Sequence, residues 1–68
     1  MIKLLQKTPY RKRVIVAYAD AWEKENITTK QDTHIDGVTW DYEPGSIIIT
    51  SDFQIAMLDS EGNWNWKE

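Results

Sequence analysis

The last third of the chain alternates apolar runs with short polar breaks. β-Rich runs occupy residues 46–50, 53–58 and 63–66. The breaks between them, at 51–52 and 59–62, consist of turn-forming residues. Runs of this length between turn signals are typical of strands joined by hairpins. The pattern therefore predicts a three-stranded antiparallel meander.

The loop lengths of this meander decide which side chains share a face. We predict a two-residue loop at 51–52 and a four-residue loop at 59–62. Because side chains alternate between faces along a strand, these loops bring the large apolar residues together. The predicted common face consists of Ile48, Phe53, Ile55, Met57, Trp64 and Trp66. The opposite face then consists of Ile47, Ile49, Ala56 and Leu58.

Segment 13–22 has a pattern that fits two structures. As a strand, one face carries Val14, Val16, Tyr18 and Trp22, and the other carries Ile15 and three alanines. As a helix, it has an apolar stripe of Val14, Tyr18, Ala21 and Trp22. The consecutive β-branched residues favour a strand, whereas the alanines favour a helix. We prefer the strand and keep a helix over 14–25 as the alternative.

Two further segments complete the predicted sheet. Residues 2–5 form a short apolar opening, which indicates an edge strand or a frayed end. Residues 35–42 alternate apolar and polar side chains, which is typical of a half-buried strand. The predicted fold is mainly β: a small curved antiparallel sheet or partly open barrel of about five strands. It becomes α+β if residues 14–25 are helical.

Chain length and aromatic content indicate that this small sheet associates with other chains. The 68 residues predict one small domain, 1–68, and a chain of this size buries only a thin core. It has no cysteine, but it has four tryptophans, three tyrosines and one phenylalanine. We therefore expect exposed aromatic surface and a homo-oligomer. No signal peptide or membrane-spanning run is present, so we expect a cytoplasmic protein that does not enter membranes.

Charge is distributed unevenly along the sequence. The net charge is −3, yet five of the eight basic residues lie within the first thirteen positions. The remainder of the chain carries three basic residues and all eleven acidic ones. The basic segment could contact phosphates, but the acidic remainder would repel them, which counts against nucleic acid as the main partner. The acidic residues could instead occupy a basic groove on another protein, although we favour the simpler interpretation of an ordinary soluble surface.

Catalytic and metal-binding patterns are weak. In an extended chain, Asp32, His34 and Asp36 point the same way and could hold a divalent metal. We favour the simpler interpretation of a polar loop that leads into a strand, and we predict no metal site. The sequence has no cysteine nucleophile, nucleophile elbow or phosphate-binding glycine loop. We therefore expect a protein that is not an enzyme and that uses no cofactor.

Two short motifs resemble a family of small phage-encoded proteins. Residues 10–13, Tyr-Arg-Lys-Arg, are followed by Val14, Val16, Ala19 and Trp22, which resembles the opening of that family. Pro44 and Gly45, followed by Ile48, Ile49 and Thr50, look like its proline–glycine element, sometimes called PGDYG. The resemblance implies a phage or prophage origin, a β-rich fold and no assigned chemistry.

Recognition of another molecule is the function that these features favour. Our first hypothesis is a small phage-type protein that docks on a host macromolecule, such as a defence system, and inhibits or modulates it in the host cytoplasm. The alternative is an oligomeric sponge that stacks a small nucleotide on aromatic residues and holds its phosphate with basic ones. The candidate binding residues are Trp22, Trp40, Tyr42, Trp64, Trp66, Arg11, Lys12 and Arg13.

Overall fold

Six β-strands form one open sheet in the computed structural model, which describes residues 2–8, 14–38 and 42–67. The strands are β1 Ile2–Lys7, β2 Ile15–Ala19, β3 Ile35–Asp36, β4 Ile47–Thr50, β5 Ile55–Leu58 and β6 Trp64–Lys67, and one 3₁₀ helix spans Ala21–Asn26. Their order across the sheet is β3-β1-β2-β4-β5-β6. The prediction of a mainly β fold with a small open sheet is therefore confirmed.

Segment 13–22 contains a strand followed by the 3₁₀ helix. Along β2, Ile15, Ala17 and Ala19 are buried while the residues between them are more exposed, as the strand pattern predicts. The strand ends at Ala19, and the N–H of the next residue, Asp20, donates to the Glu23 carboxylate at 3.0 Å, an interaction typical of a helix start. The placement of Trp22 on the strand is wrong, because Trp22 lies within the helix.

The strand pairing is mixed, which corrects the prediction of an antiparallel sheet. Strands β1 and β3 pair in parallel, and so do β2 and β4. As a result, β1 lies inside the sheet between β3 and β2 and is not an edge strand. The predicted strand over 35–42 is present at Ile35–Asp36 and wrong at Gly37 and Val38, because Gly37 has a φ of +84° and the N–H of Val38 turns back to the carbonyl of Ile35. Residues 39–41 of this prediction lie outside the described residues.

The C-terminal meander is confirmed, but its predicted register is wrong by one residue in both hairpins. Each loop contains three residues. The N–H of Thr50 donates to the carbonyl of Gln54 at 2.9 Å. In the second hairpin, the N–H of Asp59 donates to the carbonyl of Asn63 at 2.9 Å. Three-residue hairpin loops place their last residue in the left-handed region. Gly62 fills that position in the second loop, at φ +84°, and Phe53 fills it in the first, at φ +62°.

Because each hairpin differs by one residue, the side chains of β5 lie on the opposite face from the prediction, whereas β4 and β6 keep their predicted relation to each other. Ala56 lies opposite Ile48 and Trp66, and Leu58 lies opposite Trp64. The tryptophans therefore share a face with Ile48, whereas Ile55 and Met57 lie on the other side of the sheet. The predicted common face is therefore confirmed for Ile48, Trp64 and Trp66 and wrong for Ile55 and Met57, because the prediction assumed loops of two and four residues.

We call the buried side of the sheet the inner face. The core comprises Ile2, Ile15, Ala17, Ala19, Ile27, Ile35, Tyr42, Ile48, Ala56, Leu58 and Trp64. The alanines of the central strands leave space for large rings, and Tyr42 packs on Trp64 with ring centroids 5.9 Å apart. The N–H of Trp64 donates to the carbonyl of Thr28 at 2.9 Å, which holds the chain next to Ile27 across this face.

Candidate functional site

Phe53 is the most exposed large apolar side chain in the described part of the protein. It lies at the tip of the β4–β5 hairpin with 89% of its surface accessible. Its φ of +62° lies in a region where a Cβ atom is unfavourable and where glycine is the usual residue. The sister hairpin uses glycine at the same loop position. Phe53 therefore combines a strained backbone with an unburied ring, so its presence at this position has no explanation in folding.

Polar contacts join the 3₁₀ helix that carries Trp22 to the hairpin loop that carries Phe53. The N–H of Ala21 donates to the hydroxyl of Ser51 at 2.9 Å, and the Lys24 ammonium lies 2.6 Å from the Asp52 carboxylate. Both contacts flank Trp22 on one segment and precede Phe53 on the other. Trp22 itself is 70% exposed. We call Trp22 and Phe53 the aromatic corner.

Acidic groups dominate the surroundings of the aromatic corner. Asp20 and Glu25 are exposed on the helix that carries Trp22, and Asp52 is exposed in the loop beside Phe53. Hydrogen bonds from Lys24 and Thr50 hold the pKa of the Asp52 carboxyl below its usual range, so this group stays ionised at neutral pH. The corner thus presents two aromatic rings flanked by three carboxylates, one of which is paired with Lys24.

A shallow cleft continues from Trp22 toward the β3 edge. It has a volume of about 450 Å³ and is lined by Ile2, Trp22, Glu23, Asn26, Asp32 and His34. Burial alone would raise the pKa of Glu23. The hydrogen bonds that its carboxylate accepts, including the one from the N–H of Asp20, have the larger effect, so the pKa of Glu23 lies below its usual range. In the described ranges, no group of three His, Asp or Glu side chains is close enough to share a metal ion.

The described members of the predicted binding set do not form one site. Tyr42 and Trp64 are 2% and 5% exposed, so they are core residues that offer no surface to a partner, and we no longer propose them as contacts. Trp66 is half-buried, with the Lys24 ammonium 5.7 Å from its ring centroid. Trp22 is the exposed member of the predicted set. The candidates Arg11, Lys12, Arg13 and Trp40 lie outside the described residues.

Phe53 is the residue that sequence reasoning placed wrongly. Its apolar character in a β-rich run predicted a strand position on the common face, whereas the structure places it in the loop. Phenylalanine carries no signal for a left-handed backbone, so the local sequence gave no reason to expect it there. A weaker signal was available in the second hairpin, where glycine at the end of a polar break is typical of a three-residue loop.

A second exposed apolar feature is the side of the sheet opposite the core, which we call the outer face. Its residues are Val16, Tyr18, Ile47, Ile49, Ile55 and Met57. Tyr18 and Ile55 are 36% and 37% exposed, and the other four are half-buried. None of the six belongs to the core or to the partly buried apolar residues packed against it.

Comparisons with known proteins found no match for this chain. Neither a protein-family model, nor a curated protein, nor a solved structure matches the chain. No helix in the described part of the chain has the length and apolar character that crossing a membrane requires.

Proposed function

We propose that this chain is a small protein-binding module whose anchors are Trp22 and Phe53. The observation that carries the proposal is Phe53, an aromatic residue held fully in solvent in a conformation that suits glycine. Strained residues of this kind concentrate at ligand clamps and other functional sites. An exposed ring on a hairpin whose loop is closed by hydrogen bonds between Thr50 and both Phe53 and Gln54 is also a good anchor, because less backbone freedom is lost on binding.

The chemistry around the anchors favours a protein partner with a basic surface. Aromatic residues dominate the energetic centres of protein interfaces, and Trp22 and Phe53 stand free to enter apolar pockets. The carboxylates of Asp20, Glu25 and Asp52 would face the rim of such pockets. Electrostatic complementarity then requires lysine or arginine around the pocket of the partner.

The polar groups of the corner support binding without catalysis. Ser51 accepts a hydrogen bond from the helix, and Lys24 and Asp52 pair with each other. These groups hold the two segments together, which is a positioning role. In keeping with the resemblance to small phage proteins, we propose that the bound partner is a host protein, for example a defence component, which is blocked in the host cytoplasm.

Nucleotide capture is the alternative function that the aromatic content suggests. Carboxylates next to Trp22 and Phe53 would repel a phosphate group, so they favour the protein partner over a nucleotide. Calorimetric titration with mono-, di- and cyclic nucleotides separates the two functions. Our proposal expects no heat of binding, whereas binding that Trp22→Ala abolishes would favour the sponge.

Comparative affinity capture tests the proposal directly. The wild-type chain and the variants Trp22→Ala, Phe53→Gly and Leu5→Ala are immobilised and exposed to bacterial lysate. Leu5→Ala is the matched control, because Leu5 is 59% exposed but lies on β1, a strand that contributes nothing to the corner. We expect a stoichiometric protein that the wild type and the control retain and that both corner variants lose.

Purified components complete this test. The captured protein, once identified, is titrated against each variant by calorimetry, and loss of either ring should weaken binding by about tenfold or more. Equal capture by all four chains would contradict the proposal. So would the complete absence of a stoichiometric protein partner from lysates of several bacterial hosts.

A further inference from the structure

The outer face is organised as two rows of side chains that run across the strands. The first row follows the pairings Asp36, Lys3, Tyr18, Ile49, Ile55 and Lys67. The second follows Gln6, Val16, Ile47, Met57 and Asn65. Both rows are apolar in the middle of the sheet and polar at its edges. This arrangement of an apolar centre within a polar rim is the anatomy of a protein interface.

The described residues that cover the sheet lie on its other side. Ile27 and Tyr42, which come from outside the strands, belong to the core of the inner face. Within the described ranges, the apolar centre of the outer face has no such cover. A six-stranded sheet with two apolar faces buries both only when a second layer packs on it.

The two ends of the first row carry opposite charges. Asp36 on β3 forms one end, beside Lys3, and Lys67 on β6 forms the other. With six strands about 4.8 Å apart, the ends are roughly 24 Å from each other. A two-fold axis parallel to the strands reverses the strand order of a second copy. It therefore places Lys67 of each copy above Asp36 of the other, and Tyr18 above Ile49.

We propose that the outer face binds a second copy of this chain, so that the two sheets pack face to face in a symmetric dimer. The strands of the two layers are aligned, as in sandwiches whose sheets lie about 10 Å apart. The apolar centre provides the attraction, and the two Lys67–Asp36 pairs select the orientation. The aromatic corner is not part of this face, so the dimer and the proposed partner site are separate inferences.

Sedimentation of the full chain over a wide range of concentrations tests the dimer. We expect the wild type to dimerise and Ile49→Lys, which places a charge in the apolar centre, to weaken dimerisation by about tenfold or more. Gln31→Lys is the control, because it adds the same charge at an exposed position in the segment after Ile27, which covers the inner face. Phe53→Gly should leave the dimer unchanged. Circular dichroism establishes that each variant is folded.

Charge reversal tests the orientation with variants that alter exposed side chains only. Lys67→Glu and Asp36→Lys should each weaken dimerisation by about fivefold at low salt, because each replaces two attractive pairs by two repulsive ones. An equimolar mixture of the two variants should dimerise as well as the wild type. In the mixed dimer, every pair again consists of opposite charges. Contacts within one chain could not produce this rescue, because each chain still carries only one of the two substitutions.

Three results would overturn this proposal. One is a wild-type chain that remains a monomer at every concentration. The second is a dimer that Ile49→Lys does not weaken although Gln31→Lys does. The third is a mixture of the charge-reversal variants that associates no better than either variant alone.

Discussion

Replacing Phe53 by glycine should make the protein more stable, although it removes a large aromatic side chain. The ring is 89% exposed, so its loss removes little buried surface. The backbone at φ +62° costs a residue with a Cβ atom about 1–2 kcal/mol. Glycine also gains entropy in the unfolded chain, and this favours unfolding by about 0.5–1 kcal/mol, which offsets part of the backbone strain that the substitution removes. The net free energy of unfolding should rise by about 0.5–1 kcal/mol.

Thermal and urea unfolding measure this effect. For a domain of this size, the expected gain raises the melting temperature by about 4 °C. Phe53→Ala removes the ring but keeps the Cβ atom, so its stability should remain within about 0.5 kcal/mol of the wild type. Phe53→Asn should be at least as stabilising as glycine, because asparagine tolerates the left-handed region without the full entropy of glycine.

The second hairpin offers the mirror experiment. Gly62 has a φ of +84°, and a Cβ atom added there would meet no other atom within 4 Å. Gly62→Ala should therefore lower stability by about 1 kcal/mol through backbone strain alone. The reasoning is refuted if Phe53→Gly and Phe53→Ala destabilise the protein equally, since the ring would then contribute packing energy.

Three further predictions concern the core residue Trp64, the loop residue Asp59 and the ion pair between Lys24 and Asp52. Trp64→Ala should cost about 3–5 kcal/mol and leave the chain largely unfolded. Trp64→Phe should cost far less, because no acceptor among the described residues lies in hydrogen-bond geometry with the buried Nε1–H of Trp64. Circular dichroism and thermal melts distinguish the two variants. The pKa of Asp59 is lowered by hydrogen bonds, chiefly from the N–H of Asn63. Its stabilising contribution is therefore complete above the usual carboxyl range and is lost as the pH falls through the lowered value. Asp59→Asn should make the melting temperature depend less on acid, and an unchanged pH profile would contradict this. Lys24→Ala, which removes the partly exposed pair with Asp52, should cost less than about 1 kcal/mol, with a loss that shrinks in high salt.

Local pattern predicted the elements of this fold better than their arrangement. The alternation of Ile15, Ala17 and Ala19 and the polar breaks around the C-terminal runs were sufficient to predict strands and a meander. The parallel pairing of β2 with β4 joins residues about 31 positions apart, such as Val16 and Ile47, and no local signal specifies it. The 3₁₀ helix had a signal that was missed, an aspartate three residues before a glutamate.

The candidate site was only partly predictable for the same reason. The exposure of Trp22 follows from its position after the strand ends, and the sequence predicted that some tryptophan would be exposed without identifying which one. The burial of Tyr42 and Trp64 depends on small residues from distant strands that leave space beneath them. The position of Phe53 depends on one backbone angle that its own side chain disfavours, so it became visible only in the structure.

The affinity of the captured protein for the Phe53→Gly chain is the most direct test of the account. The account predicts a protein that is more stable than the wild type and binds its partner at least about tenfold more weakly. That combination separates recognition from folding, because a damaged fold would lower both quantities. A stabilised variant that binds with wild-type affinity would contradict the assignment of this hairpin tip to recognition.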